Sequence, residues 1–251
     1  AVESIAGDNA FRVCFSDPNQ GIGAADYIAE NFADSKVAVI YNSSDVYSSG
    51  IYEKFAAEAD TKGVDIVDTE AFTKDAKTDF SVQLQKIKES GADLVFLPIY
   101  YEEAALILTQ ADQAGLDVTF FGCDGLDGVI GQLGDNAELA EGVMLLTPFA
   151  ADAKDEKTQT FTAAYQEAYD GATPNQFAAD AYDAIYIIKA AIEQAEATPD
   201  MSVSDLCEAL KVAMTEITVE GVTGTMTWDA SGEPTKEPKA MVIKDGAYSA
   251  V

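Results

Sequence analysis

Between residues 36 and 122 two hydrophobic patterns alternate. Short unbroken apolar runs at 36–41 (KVAVIY), 64–68, 92–98 (ADLVFLP) and 118–122 (VTFFG) suit strands buried on both faces. Between them apolar residues fall at helical spacing. Ile51, Phe55 and Ala59 form one stripe, and Phe80, Leu84 and Ile87 another. The helical stretches close on a repeated Gly-apolar-Asp junction, at Gly63, Gly91 and Gly115, where glycine supplies a left-handed helix terminus. Strand and helix repeating in this order predict an α/β fold with a right-handed parallel βαβ array.

After Pro148 the pattern changes to three helices with little strand between them. The first carries Phe161, Ala164, Tyr165, Ala168 and Tyr169. The second spans 175–195, and the third opens on the capping-box sequence Ser202-Val203-Ser204-Asp205. Strand character returns at 224–228 and 240–243, on either side of a turn at 229–232. Three amphipathic helices need a sheet or other helices to cover, and this stretch supplies almost no strands. The sequence therefore reads as one complete α/β lobe plus the helical half of another. An N-terminal segment is expected to be missing or supplied by another chain.

Composition removes several kinds of chemistry. Fifteen Lys and Arg stand against 44 Asp and Glu, a net charge of −29 that repels phosphate backbones and anionic membrane surfaces, so no nucleic-acid partner is expected. There is no histidine, which excludes Ser-His-Asp and Cys-His catalysis and the commonest zinc ligand. Cys14, Cys123 and Cys207 form no CxxC pair; one disulfide with a thiol left over, or buried free thiols, both fit. No apolar run reaches the ~20 residues of a membrane helix. The chain also opens, without a signal peptide, on what reads as mature sequence. Gly21-Ile22-Gly23-Ala24-Ala25-Asp26 imitates a dinucleotide fingerprint but has Asp in place of its third glycine and follows a Pro-containing loop. Asp124-Gly125-Leu126-Asp127-Gly128 lacks the remaining ligands of a calcium loop. No cofactor, metal or catalytic residue is expected, and the chain reads as a binding protein rather than an enzyme.

Ligands of open parallel sheets bind beyond the carboxyl ends of the strands. The first strand runs towards Tyr47, the third ends at Tyr100 and Tyr101, and the fourth ends at Asp124. Three phenols and a carboxylate at one edge suit a small solute with an apolar body and a cationic head. Each residue also has a plainer reading. Asp124 would serve equally as the cap of a helix near 127–133, and any one of the tyrosines as an ordinary half-buried loop residue.

Five ordered stretches resemble the type I periplasmic binding proteins, specifically the branched-chain amino acid binding proteins of ABC transporters. They are 11–21 (FRVCFSDPNQG), 37–41 with Tyr47-Ser48-Ser49-Gly50, 91–95 leading to Tyr100-Tyr101, 121–125 (FGCDG), and 181–184 (AYDA) with 224–229 (GTMTWD) and Gly232. The resemblance implies two Rossmann-like parallel-sheet lobes joined by three crossovers near 15–19, 147–150 and 228–234. The first lobe, incomplete here, would hold 1–15 and 149–227; the C-terminal α/β lobe would hold 16–148 and 228–251. Asp124 would accept the ammonium of a bound amino acid, with Tyr47 and Tyr100 or Tyr101 beside it and Phe177 facing it from the helical lobe. The implied function is capture of an amino acid, branched-chain or similar, outside the cytoplasm and its delivery to an ABC transporter permease by hinged closure. The full-length protein would be a monomer, periplasmic or lipid-anchored at the cell surface. A ligand-sensing domain of a signalling or regulatory protein on the same fold is the alternative.

Overall fold

The computed structural model describes residues 7–236 and 238–251. The chain divides into two compact units. Of the described residues, one unit holds 17–147 and 238–251, and the other holds 7–16 and 148–236. The part of the expected first lobe that falls on 1–6 lies outside the described residues.

The first unit opens with α1 (Asp17–Asn31), then alternates strand and helix: β1 (Lys36–Asn42), α2 (Val46–Lys62), β2 (Asp65–Phe72), α3 (Ser81–Ser90), β3 (Leu94–Leu97), α4 (Tyr101–Gln113) and β4 (Thr119–Gly122). A 3-10 turn at Asp124–Leu126 leads through the short α5 (Val129–Leu133) to β5 (Met144–Thr147). The expected strands at 36–41 and 118–122 appear almost as read. The second runs longer than expected, to Phe72, and β5 was not anticipated. Gly63, Gly91 and Gly115 sit at φ +76°, +72° and +60°, so the repeated junction is a run of left-handed helix ends.

In the second unit lie α6 (Glu156–Ala168), α7 (Gln176–Gln194), α8 (Val203–Met214) and the hairpin β6 (Val219–Gly221) and β7 (Gly224–Met226). The chain then returns to the first unit as β8 (Lys239–Lys244) and β9 (Ala247–Ala250).

The first unit's sheet runs β2-β1-β3-β4-β5-β8-β9. Its first five strands are parallel, and β8 and β9 extend it antiparallel. Val37, Val39, Leu94 and Phe96 join Ile28 of α1 and Ile51, Phe55 and Ala59 of α2 in one core. The alternating residues Ala38, Ile40, Val95 and Leu97 are equally buried, so both faces of the sheet are covered. Phe55 stacks on Phe96 at 4.1 Å between ring centroids.

The imitation fingerprint lies wholly inside α1. There Gly21 meets the backbone of α2: a Cβ added to it would stand 2.5 Å from the Ile51 carbonyl oxygen and 2.9 Å from the Phe55 nitrogen. Gly21 thus lets two helices approach, which is a packing role rather than a phosphate-binding one.

The second unit's core gathers Ile187 and Ala191 of α7, Ala213 and Met214 of α8, and Ile217, Val219, Met226 and Trp228. The expectation that 228–236 joins the sheet-bearing lobe is corrected here. Trp228 is buried in this core and donates its indole N–H to the Arg12 carbonyl at 2.7 Å, while the Arg12 guanidinium pairs with Glu233 at 3.0 Å. The chain consequently stays in this unit through 236 and is in the first unit from 238, rather than changing at 228–234. Nearby, the Lys236 ammonium is buried against Asp180 (3.0 Å) and the Thr223 hydroxyl (2.6 Å). Burial pushes the Asp180 carboxyl above its ordinary range, and Lys236 pulls it part of the way back. The difficulty of covering three helices is visible on their surfaces: Ile185, Ile188 and Ile192 of α7 and Val203 and Val212 of α8 are exposed.

Substituting Gly21 by Ala should destabilise the protein by about 1–3 kcal/mol, because two helix backbones must part. Gly23→Ala is the control, since its Cβ would meet only Leu146 and Pro238 at ordinary contact distances of 3.6 and 3.7 Å. Urea unfolding of the two variants checks this; equal midpoints would contradict the proposed helix contact.

Candidate functional site

In the order β2-β1-β3-β4-β5 the winding of the chain reverses between β1 and β3. Beyond the carboxyl ends of strands at such a reversal, the flanking loops part and leave a crevice. Three of the residues expected from sequence meet here.

Tyr47 arrives from β1. Asp45 caps α2 by accepting the Ser48 N–H at 3.0 Å, which starts the helix at once and sets Tyr47 in its first turn. The Ser48 hydroxyl in turn accepts the Asn42 N–H at 2.8 Å, tying the helix start to the strand end. Asp124 arrives from β4, as the first residue of the 3-10 turn, and is only 6% exposed. The Tyr47 hydroxyl donates to Asp124 Oδ1 at 2.7 Å and accepts the Gly125 N–H at 2.9 Å. Tyr100 arrives from β3 as the residue before α4, and its ring stacks on that of Tyr47 at 4.5 Å and 21°. It stays 39% exposed, so one aromatic face of the cluster reaches solvent.

Close packing demands the glycine after Asp124. A Cβ at Gly125 would stand 2.6 Å from both the Tyr47 hydroxyl and the Ile99 carbonyl oxygen. The capping alternative for Asp124 is not what the structure has: α5 is preceded by Gly128 and carries no side-chain cap. Tyr101, first residue of α4, lies against Gly128, whose φ is +115°. A cavity of about 330 Å³ opens at this edge, lined by Asn42, Ser48, Phe72, Ile99, Tyr100 and Tyr101 together with Lys74 and the Lys77–Glu103 ion pair. Phe177 belongs to the second unit, where it is the second residue of α7 and is exposed.

Sequence reasoning missed one partner of the site. Gln20 of α1 is completely buried, and its Oε1 accepts the Asp124 main-chain N–H at 3.2 Å. The available signal was Asp17-Pro18, since a proline in the first turn is compatible with a helix start. Burial raises the Tyr47 phenol well above its ordinary pKa, and the neighbouring Asp124 raises it further. The Cys123 thiol is raised for the same two reasons. Cys123 and Cys207 are free thiols. Among the described residues no group of three Cys, Asp or Glu side chains is arranged to hold a metal ion.

A family model for periplasmic binding proteins matches residues 3–246, so the chain belongs to the periplasmic binding protein family. The Leu/Ile/Val-binding protein homolog 3 of Brucella melitensis is 32% identical over 232 residues, which cover 90% of this chain and 58% of the relative. The leucine-, isoleucine-, valine-, threonine- and alanine-binding protein of Pseudomonas aeruginosa is 30% identical, over 89% of this chain and 57% of its own length. The branched-chain amino acid transporter substrate-binding protein LivJ of Streptococcus pneumoniae, crystallised with isoleucine, superposes with a TM-score of 0.84 at 28% identity, covering 97% of this chain and 66% of that one. The chain thus spans less than two thirds of the length of these sequence relatives, and its fold is that of the type I periplasmic binding proteins.

Replacing Tyr47 by Phe removes both hydrogen bonds of the hydroxyl and should cost about 1–3 kcal/mol. The folded phenol ionises well above its ordinary value of 10.0, so its contribution is fully present below that pH and is lost as the pH rises through the raised pKa. The stability gap between wild type and Tyr47→Phe, read by urea unfolding, should therefore shrink as the pH climbs above about 10. A gap unchanged between neutral and strongly alkaline pH would contradict this placement of the phenol.

Proposed function

We propose that the full-length protein is an extracytoplasmic receptor for an amino acid, branched-chain or similar, which it delivers to the membrane permease of an ABC transporter. The observation that carries this reading is the Tyr47–Asp124 pair, a buried carboxyl group held by a phenol beyond the carboxyl ends of the parallel strands. A carboxylate in that position accepts charge-assisted hydrogen bonds from an ammonium group. Tyr100 adds an aromatic surface beside it. Membership of the periplasmic binding protein family supports a receptor. Relatives named for binding leucine, isoleucine and valine support an amino acid as the source of the ammonium.

In this reading Asp124, Tyr47, Tyr100 and Tyr101 line the site from the C-terminal lobe, and Phe177 lines it from the helical lobe. The lobes close over the ligand by rotation about their connecting segments. Binding and release require no turnover, so neither cofactor nor metal takes part. No helix among the described residues is long and apolar enough to cross a membrane, and a receptor of this kind would work as a monomer outside the cytoplasm or lipid-anchored to its surface.

The test is calorimetry of the full-length protein against leucine, isoleucine, valine, threonine and alanine, with Asp124→Ala beside wild type. A charge-assisted contact is worth about 1.5–3 kcal/mol, so the variant should bind roughly ten- to a hundredfold more weakly. Unchanged affinity in the variant would remove Asp124 from the site.

A further inference from the structure

Gln20 is a side-chain amide buried on α1 with no contact to the crevice, yet both of its ends are engaged in the site's framework. Its Nε2 donates to Asp17 Oδ1 at 3.3 Å, one turn earlier on the same helix, and its Oε1 accepts the Asp124 N–H at 3.2 Å. Burying an amide is costly unless its donors and acceptor are satisfied. The two partners also fix which way the amide points. A carboxyl oxygen only accepts from an amide, so Asp17 draws the NH₂ group towards itself and turns the carbonyl oxygen towards Asp124.

The first N–H groups of a helical turn have no partner within the turn. Here both leading donors are met from outside: Asp124 N–H by Gln20 and Gly125 N–H by the Tyr47 hydroxyl. The same hydroxyl donates to Asp124 Oδ1, so the residue is held by its backbone from α1 and by its side chain from α2. Asp17 is the residue at which the chain enters the first unit, so the Asp17–Gln20–Asp124 chain of hydrogen bonds starts at that boundary.

We propose that Gln20, oriented by Asp17, is a positioning residue that aims Asp124 at the ligand's ammonium group, a claim that rests on the amino-acid-receptor reading. Gln20 touches no ligand in this account and acts only through Asp124.

The experiment compares wild-type full-length protein with Gln20→Met, Asp17→Asn and the core control Ile28→Val. Each is titrated with leucine and with 4-methylpentanoate, the same skeleton without the ammonium. Gln20→Met should lower leucine affinity about tenfold, the worth of one well-placed hydrogen bond, and leave the analogue's affinity unchanged. Asp17→Asn lets the amide turn over and should act in the same direction by about threefold; it serves as the test should Gln20→Met not fold. Ile28→Val should reduce stability and leave the leucine-to-analogue ratio intact.

A second readout needs no ligand. If Asp124 swings away from Tyr47, the phenol loses the part of its raised pKa due to that carboxyl and should ionise at lower pH in both framework variants, as read by ultraviolet absorbance. Equal weakening of both ligands, or an unmoved ratio, overturns the positioning role. If wild type binds no amino acid, the receptor reading fails by itself; an unmoved phenol titration in the variants then overturns the positioning role separately.

Discussion

The Tyr47 hydroxyl is the interaction on which the site depends. It donates to Asp124 and accepts from Gly125, so one buried atom joins the segment after β1 to the segment after β4. Its neighbours are shaped around it. Gly125 has no room for a side chain because the phenol fills that space, and Tyr100 stacks on its ring. Asp45 and Ser48 fix the first turn of α2 and thereby the place where the phenol can reach. The reversal of winding between β1 and β3 then opens a crevice beside the exposed face of Tyr100.

Both units solve the same local problem in the same way. A tight turn leaves N–H groups that cannot bond within the turn, and a buried side chain from a packed helix accepts them. In the first unit those acceptors are Gln20 and Tyr47. In the second unit Asp183 of α7 accepts the N–H groups of Val222 and Thr223 at 2.9 Å each, as well as the Thr223 hydroxyl. Gly221 is without a side chain because the Asp183 carboxyl occupies its Cβ position. Such networks, when satisfied, rigidify the turn and specify one geometry for it.

How far the sequence could be read follows from how local each signal is. Strands buried on both faces and glycines at left-handed helix ends are written within a few residues, and β1, β3, β4 and Gly63, Gly91 and Gly115 were legible for that reason. Tyr47, Tyr100 and Asp124 were legible as strand-end residues, and their meeting followed from the rule for parallel sheets. α1 was hidden by Pro18 and by two glycines, of which Gly21 is there for its contact with α2. Gln20 was hidden with it, since a buried amide announces itself only through partners distant in sequence. The allegiance of 228–236 is likewise tertiary: it is decided by where Trp228 is buried and by Arg12, more than two hundred residues earlier in the chain.

The central claim, that Asp124 receives an ammonium group, is tested most directly by a crystal structure of the full-length protein with isoleucine bound. The account predicts the ligand nitrogen at about 2.7–2.9 Å from an Asp124 carboxylate oxygen, with Tyr47 still bonded to that side chain. A ligand whose carboxylate faces Asp124, or one bound away from the β1–β3 crevice, would contradict it.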